Sequence, residues 1–411
     1  MKNFKDSGIE WLGEIPKHWE VVKINKIVTF VNGYAFENFD LNPTFEIPVI
    51  RIGDIQKEKI LYDNCLKTKE KEKLKQFLIS NNDILIALSG ATTGKIAFCN
   101  TDNKAYINQR VAIVRSKLKL VKYYFLTRGF SLLIELACNG SAQPNISTKE
   151  IGEFKIPLPP LKEQEQIANF LDEKCEQIKN FIEKKEKLIS LLKEQKQAFI
   201  NKVTTKGLDK NVNFKDSGIE YLGEIPQHWE VRKLKYITYL RNQKNNNIDF
   251  KIGLENIESK TGKYIPTSEM VFEEDGIEFK SGDILFGKLR PYLAKVFLAN
   301  KNGICVSEFL VLKIKSENNK FIKFLMLSSL FIDIVDGSTY GTKMPRASWE
   351  FIGNLKIPLP PLKEQEQIAN FLDEQCEKID LLIEKTKKQI KLIKEYKTAL
   401  INQAVCGRIS L

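Results

Sequence analysis

Histidine is nearly missing from these 411 residues: only His18 and His228 occur. They stand in matching surroundings, each followed by tryptophan, with no clustered Cys or Asp. That placement excludes a Ser–His–Asp triad and a His-rich metal centre, and marks both as packing or hydrogen-bonding residues. The seven cysteines (65, 99, 138, 175, 305, 376 and 406) are odd in number and form no C-x-x-C pair, which argues against a disulfide framework or a zinc site. No run of about 18 apolar residues could span a bilayer. The opening Met1-Lys-Asn-Phe-Lys-Asp lacks the apolar core of a secretory signal, so a reduced, cytoplasmic protein is expected. Nucleotide chemistry is equally thin. No G-x-G-x-x-G follows a strand-like run, and Gly90-Ala-Thr-Thr-Gly94-Lys95 is one residue short of a phosphate loop, with Ile96 where Ser or Thr would hold magnesium. There is no Asn-Pro-Pro-aromatic motif and no convincing Asp…Glu-x-Lys nuclease set. Catalytic machinery is not visible, and the chain is expected not to be an enzyme by itself.

Charge and repetition are plentiful. Lys+Arg 64 against Asp+Glu 52 leaves +12, a balance that favours a polyanionic partner, nucleic acid before membrane. FKDSGIEWLGEIPKHWEV at 4–21 returns as FKDSGIEYLGEIPQHWEV at 214–231, differing only at Trp11/Tyr221 and Lys17/Gln227. IPLPPLKEQEQIANFLDE at 156–173 returns unchanged at 357–374. A period of about 200 residues is the size of a domain, not of a solenoid repeat. Between the shared blocks the halves diverge.

After each proline cluster the apolar residues follow a 4-3-4 spacing. The first copy places Ile178, Ile182, Ile189, Leu192, Phe199 and Val203 on the seam, with Lys185 and Lys196 in two gaps. The second places Ile379, Ile383, Ile390, Ile393, Leu400 and Ala404, with Thr386 and Lys397. A 3.5-residue period predicts coiled-coil helices, the first over Leu161–Thr205, roughly 68 Å at 1.5 Å per residue, stopped at Gly207. Glu163, Gln164 and Glu165 lie just inside the helix start, where acidic residues suit the helix dipole. The expected fold is α/β (mixed α+β) domains in two copies, joined by two long helices that form an intramolecular antiparallel coiled coil with pseudo-two-fold symmetry. Pairing between separate chains is the alternative. Boundaries are expected at 1–155, 156–208, 209–356 and 357–411. Strands are expected at Ile47-Pro-Val-Ile-Arg-Ile-Gly, Asp83-Ile-Leu-Ile-Ala-Leu, Gln109–Arg115, Asp283-Ile-Leu-Phe-Gly and Phe309–Ile314, and one helix each over Tyr123–Leu136 and Lys320–Val335.

What remains is binding chemistry. Lys288, Arg290, Tyr292 and Lys295 lie in one polar stretch of the second half, and Tyr340, Thr342, Lys343 and Arg346 in another. The first half offers Ser89, Thr92, Thr93 and Lys95, then Gln143 and Asn145 in the amide-rich loop 139–149, with Arg51, Gln109 and Arg110 beside strand-like runs. Lys and Arg suit phosphates; Arg pairs with guanine edges and Asn or Gln with adenine. Solvated surface loops are the plain alternative.

The repeated GIEWLGEIPKHWEV segment, the Asn82-Asp-Ile-Leu and Gly282-Asp-Ile-Leu strands, and IPLPPLKEQEQIANFLDE resemble the DNA-specificity subunit of Type I restriction–modification systems, over essentially the whole chain. The resemblance implies two target-recognition domains, each reading one half of a bipartite, asymmetric site in double-stranded DNA. It implies helical spacers that set the gap and dock two methyltransferase subunits, with restriction subunits in the full complex. No cofactor is implied on this chain: S-adenosylmethionine would sit on the modification subunits, and ATP with Mg on the restriction subunits. A self-sufficient nuclease or methyltransferase and a coiled-coil adaptor are the competing readings.

Overall fold

Each central strand is apolar at every position because both of its faces are covered. In a computed structural model describing residues 3–56, 58–100, 103–138, 143–246, 249–267, 275–341 and 343–409, the chain divides into two units. One comprises Met1–Lys184 with Gln389–Leu411, the other Lys185–Lys388. The first unit carries an antiparallel sheet in the order Ile96–Phe98, Ile84–Ala87, Val111–Arg115, Thr29–Asn32. Ile84 and Ile86 point into a core shared with helices, while Leu85 and Ala87 point into a core beneath a smaller sheet. That sheet sets Ile47–Ile50 parallel to Tyr106–Ile107 and antiparallel to Leu66–Thr68. The second unit repeats the plan in the order Thr238–Arg241, Phe309–Ile314, Ile284–Gly287, Val296–Leu298. There Ile284 and Phe286 face one core and Leu285 the other. Period-two alternation between two buried faces produces the continuous apolar run seen in the sequence.

The aspartate that opens each central strand has a structural task. Asp83 accepts the Ser80 N–H at 2.8 Å and pairs with Arg115 at 3.0 Å; Asp283 accepts the Lys280 N–H at 2.8 Å and the Arg241 Nε–H at 2.7 Å. Both carboxylates are buried, so the arginine removes the cost of an unpaired charge.

The single helices expected at Tyr123–Leu136 and Lys320–Val335 are each two. Val121–Phe125 gives way to Arg128–Ala137, and Asn319–Leu327 to Ser329–Gly337. A hydroxyl breaks each run by capping the next helix: Thr127 accepts from the Phe130 N–H at 3.1 Å and Ser328 from the Phe331 N–H at 3.3 Å. The apolar period continues through the break, which hides it from a periodicity argument.

The long helices run Leu161–Lys206 and Leu362–Val405. Their predicted seams are the shielded positions, including Thr386, which is buried. In the first unit Ile178 and Ile182 share a core with Ile393 and Leu400. In the second, Ile200 and Val203 share one with Ile368 and Leu372, and the Phe199 and Phe371 rings meet edge to face. The start of one helix thus pairs with the end of the other in each unit, so the pairing is antiparallel and within one chain. Seam lysines find carboxylates: Lys196 meets Asp380 at 2.8 Å, and Lys397 meets Glu58 at 3.5 Å.

Helix starts are clamped alike in both units. Glu163 accepts the Trp19 Nε1–H at 2.9 Å and meets His18 Nε2 at 2.7 Å; Glu364 accepts from Trp229 at 3.1 Å and meets His228 at 2.8 Å. Gln164 and Gln365 donate to the Pro159 and Pro360 carbonyls. Glu163 and Glu364 therefore fasten the repeated opening segment to the helix, beyond any effect on the dipole, while the glutamines tie the helix start to the proline stretch before it. The two differences between the opening segments are also explained in part. Trp11 packs closely on Gly129, where a Cβ would stand 1.9 Å from the ring, whereas Tyr221 donates its hydroxyl to the Lys356 carbonyl. Nothing in the structure explains Lys17 against Gln227.

Candidate nucleic-acid interface

In each unit the turn after the central strand meets the loop that precedes a short capped helix. In the first unit Ser89 and Asn145 bridge, the Gly90 N–H donates to the Pro144 carbonyl at 2.8 Å, and the Ile146 N–H to the Leu88 carbonyl at 2.9 Å. The Leu88 N–H donates to the Arg110 carbonyl at 2.9 Å, which brings Gln109 and Arg110 to the same place. Three separate stretches of candidates are thereby gathered into one surface. Lys95, Gln109, Arg110, Gln143 and Asn145 are exposed there. The two threonine hydroxyls are committed locally: Thr93 donates to the Gly90 and Pro144 carbonyls, and Thr92 to the Ser89 carbonyl. Arg51 belongs to a segment that reaches the same turn, with Ile52 Cδ1 3.6 Å from where a Cβ at Gly90 would stand, but its charge is engaged. Its guanidinium is held by Asp54 at 3.3 Å and the Asn64 carbonyl at 3.1 Å.

The second unit builds the same junction from different side chains. Leu289 bridges Arg346, the Arg290 N–H donates to the Pro345 carbonyl at 2.8 Å, and the Ala347 N–H to the Lys288 carbonyl at 2.9 Å. Tyr340 and Arg346 exchange backbone bonds across their loop. Tyr292 and Tyr340, 45 % and 65 % exposed, stand beside exposed Arg290, Lys343 and Arg346 and half-buried Lys288. Such a mixture of cations and aromatic faces suits a nucleic-acid backbone and its bases. Thr342 lies outside the described residues. Lys295 does not present its charge: its amine donates to the Leu254 carbonyl at 2.5 Å, and burial pushes it below its usual pKa.

A residue that sequence reasoning passed over completes the comparison. The Lys288 N–H donates to the Glu308 carbonyl as Leu88 does to Arg110, so Glu308 occupies the Arg110 position. Its carboxylate holds Arg346 at 2.8 Å. The first unit thus carries a cation beside an amide where the second carries a neutralising ion pair. Aligning the halves on their shared blocks was the available signal, but divergence between the blocks obscures it. Among the described residues no group of His, Cys, Asp and Glu could hold a metal ion.

Gly94 tests the shape of the first turn. It holds φ +79°, and a Cβ there would stand 2.8 Å from Ile134 Cγ2. Gly94→Ala is expected to cost about 1–2 kcal/mol in urea denaturation, from left-handed strain plus the contact.

The family described as Type I restriction modification DNA specificity domain matches residues 16–209 and 226–392. Among curated relatives, the Type I restriction enzyme MjaVIII specificity subunit of Methanocaldococcus jannaschii is 26% identical over 425 residues, covering 96% of this chain and 94% of the relative. The EcoDI specificity subunit of Escherichia coli is 22% identical over 431 residues, covering 97% and 90%. A chain solved in work on complex assembly and conformational transition of the type I R-M system shares the fold with TM-score 0.70 at 15% identity, over 96% of this chain and 99% of that one. The HsdS subunit of Thermoanaerobacter tengcongensis gives TM-score 0.52 at 15% identity, over 96% and 98%.

Proposed function

Because this chain belongs to the Type I restriction–modification DNA-specificity family, we propose that it is the sequence-reading subunit of such a system. Family membership supports DNA-sequence recognition. Each unit reads one half of a bipartite, asymmetric target in double-stranded DNA through its junction of turn and loop. The observation that carries this is the pair of junctions: one hydrogen-bonding frame, dressed with amides and Arg110 in one unit and with Arg290, tyrosines and a Glu308–Arg346 pair in the other. Equal frames with unequal side chains suit two unequal half-sites.

The recognition domains correspond to 1–155 and 209–356, and the spacers to 156–208 and 357–411. The spacers set the number of unread base pairs and dock two methyltransferase subunits. Chemistry is delegated: S-adenosylmethionine binds the modification subunits, and ATP with Mg the restriction subunits. A cytoplasmic location accords with a DNA partner. The chain's own task is to hold the duplex while a partner extrudes the adenine it methylates.

The deciding experiment exchanges bodies. Residues 22–155 are transplanted into the frame of another family member, and methylated adenines are mapped genome-wide with the methyltransferase subunits present. One half of the methylated motif is expected to follow the transplant, with the other half unmoved. A motif that stays whole, or methylation by the purified chain alone, would overturn the division of labour.

A further inference from the structure

The two candidate turns share left-handed positions and several backbone bonds, differing where the Gly94 N–H donates to the Ala87 carbonyl and the Ala294 N–H to the Pro291 carbonyl, and they place different residues there. Gly90 and Gly94 hold φ of +72° and +79° in the first unit; Arg290 and Ala294 hold +51° and +48° in the second. These positions correspond by their bonds. Gly90 and Arg290 each donate to the carbonyl of a proline, Pro144 or Pro345, both at 2.8 Å. Ala87 and Gly287 each donate to the carbonyl of the lysine after the second left-handed residue, Lys95 or Lys295. Left-handed backbone suits glycine and is disfavoured once a Cβ is present. Pro291 restricts Arg290 further, since a residue before proline is crowded by the ring.

Strain of this kind persists where the surroundings impose it, and it gathers at ligand contacts. The turn imposes its own shape: the Leu293 N–H donates to the Arg290 carbonyl at 2.9 Å, and the Ala294 N–H to the Pro291 carbonyl at 2.7 Å. Neither bond uses the arginine side chain. Glycine would satisfy the backbone at 290 as it does at 90, so arginine is kept for what its side chain does outside the turn.

That side chain is available. Arg290 is exposed, and among the described residues its guanidinium has no hydrogen bond or ion pair. Arg346 is held by Glu308 and Lys295 by a carbonyl. Lys288 and Lys343 supply point charges for phosphates, and a phosphate contact needs no particular fork at a strained position.

Resting on the DNA-reading role above, we propose that Arg290 determines specificity at one base pair of the half-site read by the second unit. It donates two N–H groups to O6 and N7 of a guanine. In the major groove only guanine presents two adjacent acceptors, which match the guanidinium fork.

The test uses the assembled complex with its methyltransferase subunits, and duplexes carrying the mapped motif or single-base variants of it. Arg290→Lys keeps the charge and loses the fork; Arg290→Gly relaxes the backbone. Both are expected to lose roughly ten- to a hundredfold of preference at a single G·C pair, with other positions unchanged. Arg290→Lys is expected to keep the wild-type salt dependence, and Arg290→Gly to melt no lower than wild type. Full preference retained by either variant would overturn the proposal. So would uniform weakening across all sequences with a salt slope reduced by about one, the mark of a phosphate contact. Melting of Arg290→Gly well below wild type would assign the arginine to the turn and overturn it likewise. A wild-type complex with no sequence preference would instead defeat the DNA-reading role itself.

Discussion

Trp229→Ala is expected to lower the stability of the unit that contains it by about 3–5 kcal/mol, measured by urea denaturation. The indole is fully buried and contributes to the core formed with Ile200, Val203, Ile368 and Leu372. The end of the first long helix closes tightly on it: a Cβ at Gly207 would stand 3.2 Å from its ring. Truncation opens a cavity between segments that cannot collapse freely, because the Trp229 ring lies between the helix end and the start of the other helix at Glu364. Trp229→Phe separates packing from bonding. It keeps most of the buried area but leaves Glu364 without the indole donor, and is expected to cost about 1–2 kcal/mol.

Asp380→Asn is expected to cost about 2–4 kcal/mol at neutral pH, because it leaves the Lys196 amine shielded and without its counter-ion. Lys196 is 12% and Asp380 17% exposed, and the amine reaches both carboxylate oxygens, at 2.8 and 2.9 Å. Lys263 adds a second amine at 2.9 Å. Burial alone would push the Asp380 carboxyl up, but the hydrogen bonds and charges of Lys196 and Lys263 outweigh it and hold it below the usual aspartate value. A carboxyl whose folded pKa is depressed stabilises the fold above its unfolded pKa of about 3.9, and that stabilisation fades as the pH falls toward the lower, folded value. The gap between wild type and Asp380→Asn is therefore expected to narrow below about pH 4. A gap independent of pH would show that the side chain's shape, not its charge, stabilises the pair.

Lys196 shows how far local pattern reaches. Its place on the seam was legible from the 4-3-4 spacing, as were Lys185, Thr386 and Lys397, since helical period is written in neighbouring residues. Asp380 sits one residue after Ile379, off the apolar stripe, and nothing local marks it as the partner of a lysine 184 positions earlier. The same holds for Glu58 and Lys397, and for Glu308 and Arg346. The candidate turns were legible as polar, Gly- or Pro-bearing stretches. Which of their side chains are committed was not: Thr93, Lys295 and Arg51 look as available in the sequence as Lys95 or Arg290, yet each is held by a carbonyl or carboxylate.

Repetition, the proline-led helices and the 3.5-residue seam follow from the order of residues alone, because each rests on a short period or on one stretch copied in another. The helix breaks at Thr127 and Ser328, the clamps on Glu163 and Glu364, and the left-handed backbone shared by Gly90 and Arg290 required the folded chain. Hydrogen bonds that join distant segments have no period to announce them, and they come into existence only when packing brings their ends within 3 Å or so.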